Sequence, residues 1–203
     1  MKTTISRGTT RRAGALSLAV ALSLGMAACG NSSTSAATSG SDSMQASAAA
    51  QTFGPGCKLV PRSGAGSFNG MATDPVATAA SNNPLLTTLV TAVKKAGLVD
   101  TLDSAKALTV FAPTDDAFKK IPSSALDKVL ADKGRLTKLL EHHVVAGQLS
   151  PSQLAGTHKT LAGDTITVKG SGKDFTVDHA RVLCGNIPTA NATVYVVDSV
   201  LMP

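Results

Sequence analysis

The chain has 203 residues, 43% of them apolar, which suffices for one hydrophobic core plus appendages; aromatics are only 3% and Trp is absent, so mainly Leu, Val, Ile and Ala must fill that core. A formal charge of +6 suggests a nucleic-acid partner, but Lys2, Arg7, Arg11 and Arg12 precede a predicted cleavage site, and removing these four from 19 basic side chains leaves 15 against 13 acidic ones, a net of +2. So small and dispersed a charge, with so few rings to stack on bases, excludes a nucleic-acid surface.

Residues 1–28 read as a signal peptide: a basic start, then an uncharged run from Ala13 to Ala28 rich in Leu, Ala and Val. That run is short for a membrane span, which needs about 20 apolar residues. Met26-Ala27-Ala28-Cys29-Gly30 resembles a bacterial lipobox with Met in place of the usual Leu. It predicts cleavage before Cys29 and lipid on the Cys29 sulfur; the alternative is ordinary secretion with a stray cysteine. Several acyl chains would anchor far better than one, each buried methylene adding about 0.8 kcal/mol. Arg11-Arg12 hints at twin-arginine export, but the residues after it match poorly, so the route stays open. Asn31–Thr52 is dominated by Ser, Ala, Thr and Gly with one charge, Asp42, and cannot bury enough apolar surface to offset its ordering entropy. Residues 29–53 are therefore read as a lipid-bearing cysteine and flexible tether, residues 54–71 as an ordered but irregular arm containing Cys57, and residues 72–203 as one domain.

The domain opens with helices. Asn83 is the expected N-cap of a helix with Pro84 at its first position; Leu85, Leu86, Leu89, Val93 and Ala96 form one apolar face, Lys94 and Lys95 suit the last turn, and Gly97 ends it. Next, Leu108, Val110 and Ala112 alternate with Thr109 and Phe111, the two-residue period of a strand whose faces meet different surroundings. Pro113 ends that ladder. Thr114 can cap the following helix, Asp115 and Asp116 place negative charge at its positive end, and Phe118, at the fourth helical position, could close on Pro113 as a hydrophobic staple. Pro122 starts a helical pair, with Leu126, Val129 and Leu130, then Leu136, Leu139, Leu140, His143 and Val144 at three- and four-residue spacing, stopped by Gly147. From Lys159 onward strands take over: Thr165–Lys169, a turn at Gly170-Ser171-Gly172, Asp174–Asp178, Arg181–Cys184 and Thr193–Leu201. Helices in the first half and strands in the second predict an α+β domain.

No constellation of side chains points to chemistry. His142 and His143 are adjacent on a predicted helix, so they diverge by about 100° and do not share a metal. His143 lies on the apolar face, where it reads as a hydrogen-bonded core imidazole; His158 and His179 have no ligand spacing around them. Gly170-Ser171-Gly172-Lys173 fails the phosphate-loop pattern, with Thr167 at its first Gly and Asp174 at its Ser or Thr, and no G-x-S-x-G elbow occurs. Asn191-Ala192-Thr193 fits a glycosylation sequon, but Asn191 reads better as a turn residue bonding the backbone before the last strand.

Thr109–Phe118, TVFAPTDDAF, strongly resembles the first signature motif of the fasciclin domain, an extracellular adhesion module. Leu140–Gly147, LEHHVVAG, is similar to the family's central tyrosine-histidine motif, with His142 at the usual Tyr, and Asn191–Pro203, NATVYVVDSVLMP, to its second signature and closing strand. A looser likeness, from Gly54–Cys57 (GPGC) through DPVATAASNNPLL, points to the secreted and lipid-anchored fasciclin antigens of mycobacteria. The resemblance implies a single fasciclin domain, a β-sandwich-like wedge with helices packed along one side. The motif residues it marks as structural are Thr109, Phe111, Ala112, Pro113, Thr114, Asp115, Phe118, His143, Asn191, Asp198, Leu201 and Pro203. With Cys29 acylated, an oxidising compartment favours pairing Cys57 with Cys184, and the antigens resembled have cysteines at both places; two free buried thiols are the alternative. The function it implies is non-enzymatic: a monomeric lipoprotein on the outer membrane face, shed or secreted as well, whose domain mediates adhesion to a surface protein or an envelope or matrix polymer. The membrane is met through the lipid anchor, and no cofactor, metal or nucleic acid is expected. Eukaryotic members bind integrins and matrix partly around the tyrosine-histidine motif, and the ring change at His142 argues against carrying that partner over. The tether hydroxyls could carry sugars or stand bare. Carriage or sensing of a small hydrophobic ligand or lipid is the alternative function.

Overall fold

A computed structural model describes residues 48–203, so the expected signal peptide, Cys29 and the tether up to residue 47 lie outside the described residues. The central strand β1 (Leu108–Pro113) pairs antiparallel with β2 (Val144–Ala146) and parallel with β7 (Ala192–Val197), Phe111 opposite Tyr195 and Pro113 opposite Val197. Beyond β7 come β6 (Ala180–Pro188), β5 (Asp174–Val177), β4 (Thr165–Ser171) and β3 (Gly156–Lys159), giving a seven-stranded sheet in the order β2-β1-β7-β6-β5-β4-β3. Its two ends approach each other: Val145 bridges Thr160, and the Leu161 N–H donates to the Val144 carbonyl at 2.8 Å. The strand β6 bends between the two halves, with register shifts around Cys184 and Asn186 at φ 59°. The result is a curled, wedge-like sheet.

Helices cover one face. They are α1 (Phe68–Thr73), α2 (Val76–Ser81), α3 (Thr87–Ala96), α4 (Val99–Ser104), α5 (Asp115–Lys119), α6 (Ser123–Ala131) and α7 (Lys133–His142). The alternation read in β1 separates two cores. Leu108, Val110 and Ala112 join Leu86, Leu89 and Val93 of the α3 region and Leu136, Leu139 and Leu140 of α7 on the helix side. Phe111 points into the curl with Ile166, Val168, Val177, Val197 and Leu201. Every residue of β1 is buried because both faces are covered. The inner core also gathers four of the six aromatic side chains, Phe53, Phe111, Phe175 and Tyr195, with ring centroids 5.6 to 6.3 Å apart. The aliphatic core expected from composition is thus true of the helix side, and the scarce rings are concentrated where the sheet closes on itself.

Several boundaries differ from the sequence expectation. The helix expected from Pro84 begins at Thr87, because the Asn83 Oδ1 accepts from the Leu85 N–H at 3.0 Å and folds the chain into a turn first. Its end is as expected: Gly97 closes it at φ 76°, with Lys94 and Lys95 in the last turn. The helix expected to run to Gly147 stops at His142, since the β1 edge offers ladder partners and Val144–Ala146 take them as β2. The last strand ends at Val197, and β6 runs on to Pro188. The arm holds a 3-10 turn, Pro55–Leu59, and α1 crosses residue 71. Phe53, at the end of the expected tether, is 7% exposed and pairs with Gly185 through reciprocal backbone hydrogen bonds at 3.2 and 2.8 Å. A large ring that close to a covered sheet gains more from burial than the chain loses by ordering.

Candidate functional site

The strand-to-helix corner after β1 ties three elements together. Thr114 accepts from the Ala117 N–H at 3.2 Å and caps α5. Asp115, expected to serve its own helix, reaches further: its Oδ1 accepts from the Thr88 N–H at 2.7 Å and its Oδ2 from the Thr87 hydroxyl at 2.6 Å. It therefore caps α3, which has no cap from its own preceding residue. Burial pulls the Asp115 carboxyl up, but the hydrogen bonds from Thr87 and Thr88 outweigh it and hold the group below the usual carboxylate range. Asp116 makes a surface pair with Lys119 at 2.8 Å, both well exposed, and contributes little. Phe118 and Ala112 are buried on the helix side, and Pro113 is buried at the end of β1.

His143 caps the end of α7 and joins it to the closing segment. Its Nδ1 lies 2.8 Å from the Leu139 carbonyl and its Nε2 accepts from the Leu201 N–H at 2.9 Å, which fixes a neutral ring protonated on Nδ1. Burial pushes its pKa down to about 4, against a smaller upward pull from the Leu139 carbonyl. Leu201 is itself fully buried, while Pro203 is exposed. Thr109 donates to the Gly147 carbonyl at 2.7 Å and accepts from the Leu149 N–H at 2.9 Å, and the Tyr195 hydroxyl donates to the Leu149 carbonyl at 2.8 Å, so one loop is pinned from two strands. Burial pushes the Tyr195 hydroxyl pKa up.

Asn191 does more than turn the chain. Its Oδ1 accepts from the Val76 N–H at 2.9 Å, and its Nδ2 faces the carbonyls of Leu102, Asp103 and Ala105 at 2.8 to 3.2 Å. It fastens the start of α2 and the end of α4 to the entrance of β7, and an amide so enclosed offers no nitrogen to a sugar in the folded chain. Asp198 accepts from the Arg181 N–H at 2.9 Å and lies 3.4 Å from the Lys120 ammonium; burial raises its carboxyl, and these hydrogen bonds more than offset that.

The cysteines lie together. Cys57 and Cys184 form a disulfide with Cα atoms 4.8 Å apart. The GPGC run allows this because the arm lies directly on β6: a Cβ on Gly54 would stand 2.3 Å from the Leu183 carbonyl oxygen. Just before it, the Phe53 ring covers Gly185, where a Cβ would meet the ring at 2.4 Å.

What the sequence did not reveal is the partner of His142. This ring is 4% exposed, and its Nδ1 lies 2.8 Å from the Asp164 Oδ1, which the Thr160 hydroxyl also contacts. Desolvation raises the Asp164 carboxyl, and the bonds from Thr160 and His142 outweigh it, leaving it low. The group sits where β2 and β3 meet. The Thr160 hydroxyl and the His142 ring thus both address the same Asp164 carboxylate oxygen. TLAGD, Thr160–Asp164, signals only a turn, and its contact with residue 142 depends on sheet closure. Among the described residues no three His, Cys, Asp or Glu side chains gather as a metal ion would require. The rings of His142 and His143 are 6.3 Å apart and nearly perpendicular.

Comparison with known proteins matches this arrangement to relatives. A family model, the Fasciclin domain, matches residues 84–203. The chain is 49% identical over 164 residues to the immunogenic protein MPB70 of Mycobacterium bovis, covering 77% of this chain and 84% of that one. It is 48% identical over 163 residues to the cell surface glycolipoprotein MPB83 of the same species, covering 76% and 74%. Protein sll1483 of Synechocystis is 36% identical over 127 residues, covering 61% and 71%. A solved FAS1 domain pair from the insect cell adhesion molecule Fasciclin I aligns at TM-score 0.49 with 21% identity, over 58% of this chain and 45% of that one. With its signature corner, its buried histidine and its closing segment joined in one curled sheet, the chain belongs to the fasciclin domain family.

Proposed function

We propose that this chain is a non-enzymatic surface lipoprotein, held at the outer membrane face by lipid on Cys29 and displaying its fasciclin domain to a surface protein or an envelope or matrix polymer. The observation that carries the reading is the 48% identity to a relative named a cell surface glycolipoprotein, together with the sequence Met26-Ala27-Ala28-Cys29. Its mechanism is display: lipid holds the chain, the Ser-, Ala- and Thr-rich tether gives reach and hydroxyls for sugars, and the domain presents a fixed surface. The hydrogen bonds that pin the Thr87–Asp115 corner, the Gly147–Leu149 loop and Asn191 support this, because a surface already ordered loses less entropy on binding.

The test has two arms. Cells fed an alkyne fatty acid should label the protein, and Cys29→Ser should abolish the label and release the chain into the medium. A deletion strain should lose aggregation, attachment or biofilm formation and regain it with the intact gene. Unlabelled protein sinks the anchor; a deletion strain indistinguishable from its parent in all three assays sinks the adhesive role.

A further inference from the structure

No residue of β3, β4 or β5 belongs to the helix-side core, and Ile166, Val168, Phe175, Val177, Ala180 and Val182 all point into the curl. The side chains between them therefore face outward, away from both cores. Register lines up three of these: Lys169 stands opposite Thr176, and Thr176 opposite Arg181. The two cations are thus two strand spacings apart, about 10 Å between Cα atoms, with one hydroxyl between them. Lys169 and Arg181 are exposed and Thr176 is half-buried. All three line an open groove of about 270 Å3, and Asp174, Gly170 and Phe175 complete its lining. Strand pairing alone does not account for this row. A position flanked by two cations is where an acid would gain most, since opposite charges on neighbouring strands attract, yet the chain sets Thr176 there. Neither cation forms an ion pair among the described residues. Asp198 is taken up by the Arg181 N–H, the Ser199 hydroxyl and Lys120, and Asp178 by the Thr167 N–H.

We infer that this groove binds a uronic acid unit of an acidic polysaccharide. The inference rests on the display reading and gives its polymer partner a chemistry. Long side chains rooted on either side of Thr176 can converge on one carboxylate: the Arg181 guanidinium takes both oxygens, the Lys169 ammonium closes from the other strand, and the Thr176 hydroxyl donates from below. Asp174 selects a sugar over a bare anion, because its carboxylate repels sulfate or phosphate and accepts from ring hydroxyls. Size agrees, since a cavity of about 150 Å3 takes a six-membered ring and the groove is larger than that. The face also suits a chain of such units. Thr165 lies on the same side of β4 as Lys169, about 14 Å along the strand, and Lys159 stands opposite it with a cation for a further acidic unit.

The experiment uses the purified full chain carrying Cys29→Ser, which stays free of lipid, with a tetramer of galacturonic acid, its methyl ester and inorganic sulfate as probes. Calorimetry should show the acid binding, the neutral ester failing to bind, and sulfate binding far more weakly than the acid. Amide shifts in heteronuclear NMR should gather at Lys169, Thr176 and Arg181. Lys169→Ala and Arg181→Ala, both at exposed positions that folding does not need, should each weaken the acid about tenfold, the loss of one hydrogen bond to a charged group. Asp174→Asn should strengthen sulfate while weakening the tetramer. Lys128→Ala, on the exposed side of α6, should change nothing. No binding of the tetramer, equal affinity for acid and ester, sulfate bound as tightly as the sugar, or full affinity in the Lys169→Ala, Arg181→Ala double variant each overturns the assignment. Because these measurements use the purified chain, their failure leaves the labelling and deletion tests of surface display to stand or fall separately.

Discussion

Lowering the pH from neutral should weaken the fold through His143. In the folded chain this ring is buried, neutral, and near pKa 4 instead of 6.5. Because the folded value is the lower one, the unfolded chain takes up the proton first. Stability is therefore complete above about pH 6.5 and falls as pH drops toward 4. At the general scale of one pKa unit to a little over 1 kcal/mol, the loss is on the order of 1 kcal/mol at pH 5.5 and on the order of 2–3 kcal/mol at pH 4.5. Asp115, Asp164 and Asp198 also have lowered values, but their losses begin only near the ordinary carboxyl value of 3.8 and leave this window clear. The control is His143→Leu, which strands the Leu201 N–H and should cost about 2 kcal/mol at pH 7.5. Urea unfolding of both proteins from pH 7.5 to 4.5 should give stability curves that converge and cross near pH 5. Parallel curves would refute the claim that His143 is held neutral between Leu139 and Leu201.

Three further outcomes follow from the packing. Cys57→Ser with Cys184→Ser opens a loop with a sequence separation of 127 and should lower stability by up to about 5 kcal/mol in the chain-entropy model, read as a fall in the urea midpoint; an unchanged midpoint would show that the arm is held without it. Asp115→Ala removes the cap of α3 and should cost about 1 kcal/mol, whereas Asp116→Ala should stay within about 0.5 kcal/mol. Equal losses in the two would contradict the cross-chain cap. Gly185→Ala drives a methyl into the Phe53 ring and should cost about 1–3 kcal/mol, less when combined with Phe53→Leu, so additive losses in thermal unfolding would deny that contact.

How much of this was legible in the sequence depends on range. The corner at Thr114, the stop at Gly97 and the turn after Ser171 rest on interactions within a few residues, and their residue types announce them. The helix ending at His142 was overextended because Val144 fits a helical apolar face as well as it fits a strand; only the free edge of β1, more than 30 residues earlier, decides. Asp115 shows the same limit: its local signal is an acidic first turn, while its bonds run to Thr87 and Thr88. Phe53 follows a polar tract and is read with it until Gly185 provides the flat ground for its ring. His142 stands at the family's tyrosine, and no pattern in the sequence names Asp164 as its partner.

The meeting of Val145 with Thr160 has a consequence for life at high density. A sheet that ends in open ladders invites its neighbours to continue it, copy upon copy, into fibres. Here β2 and the residues just after β3 turn toward each other, through the Val145–Thr160 bridge and the bond from the Leu161 N–H to the Val144 carbonyl. Where Val145 meets Thr160 that template is taken up within the chain itself, which withdraws it from a neighbour at that point.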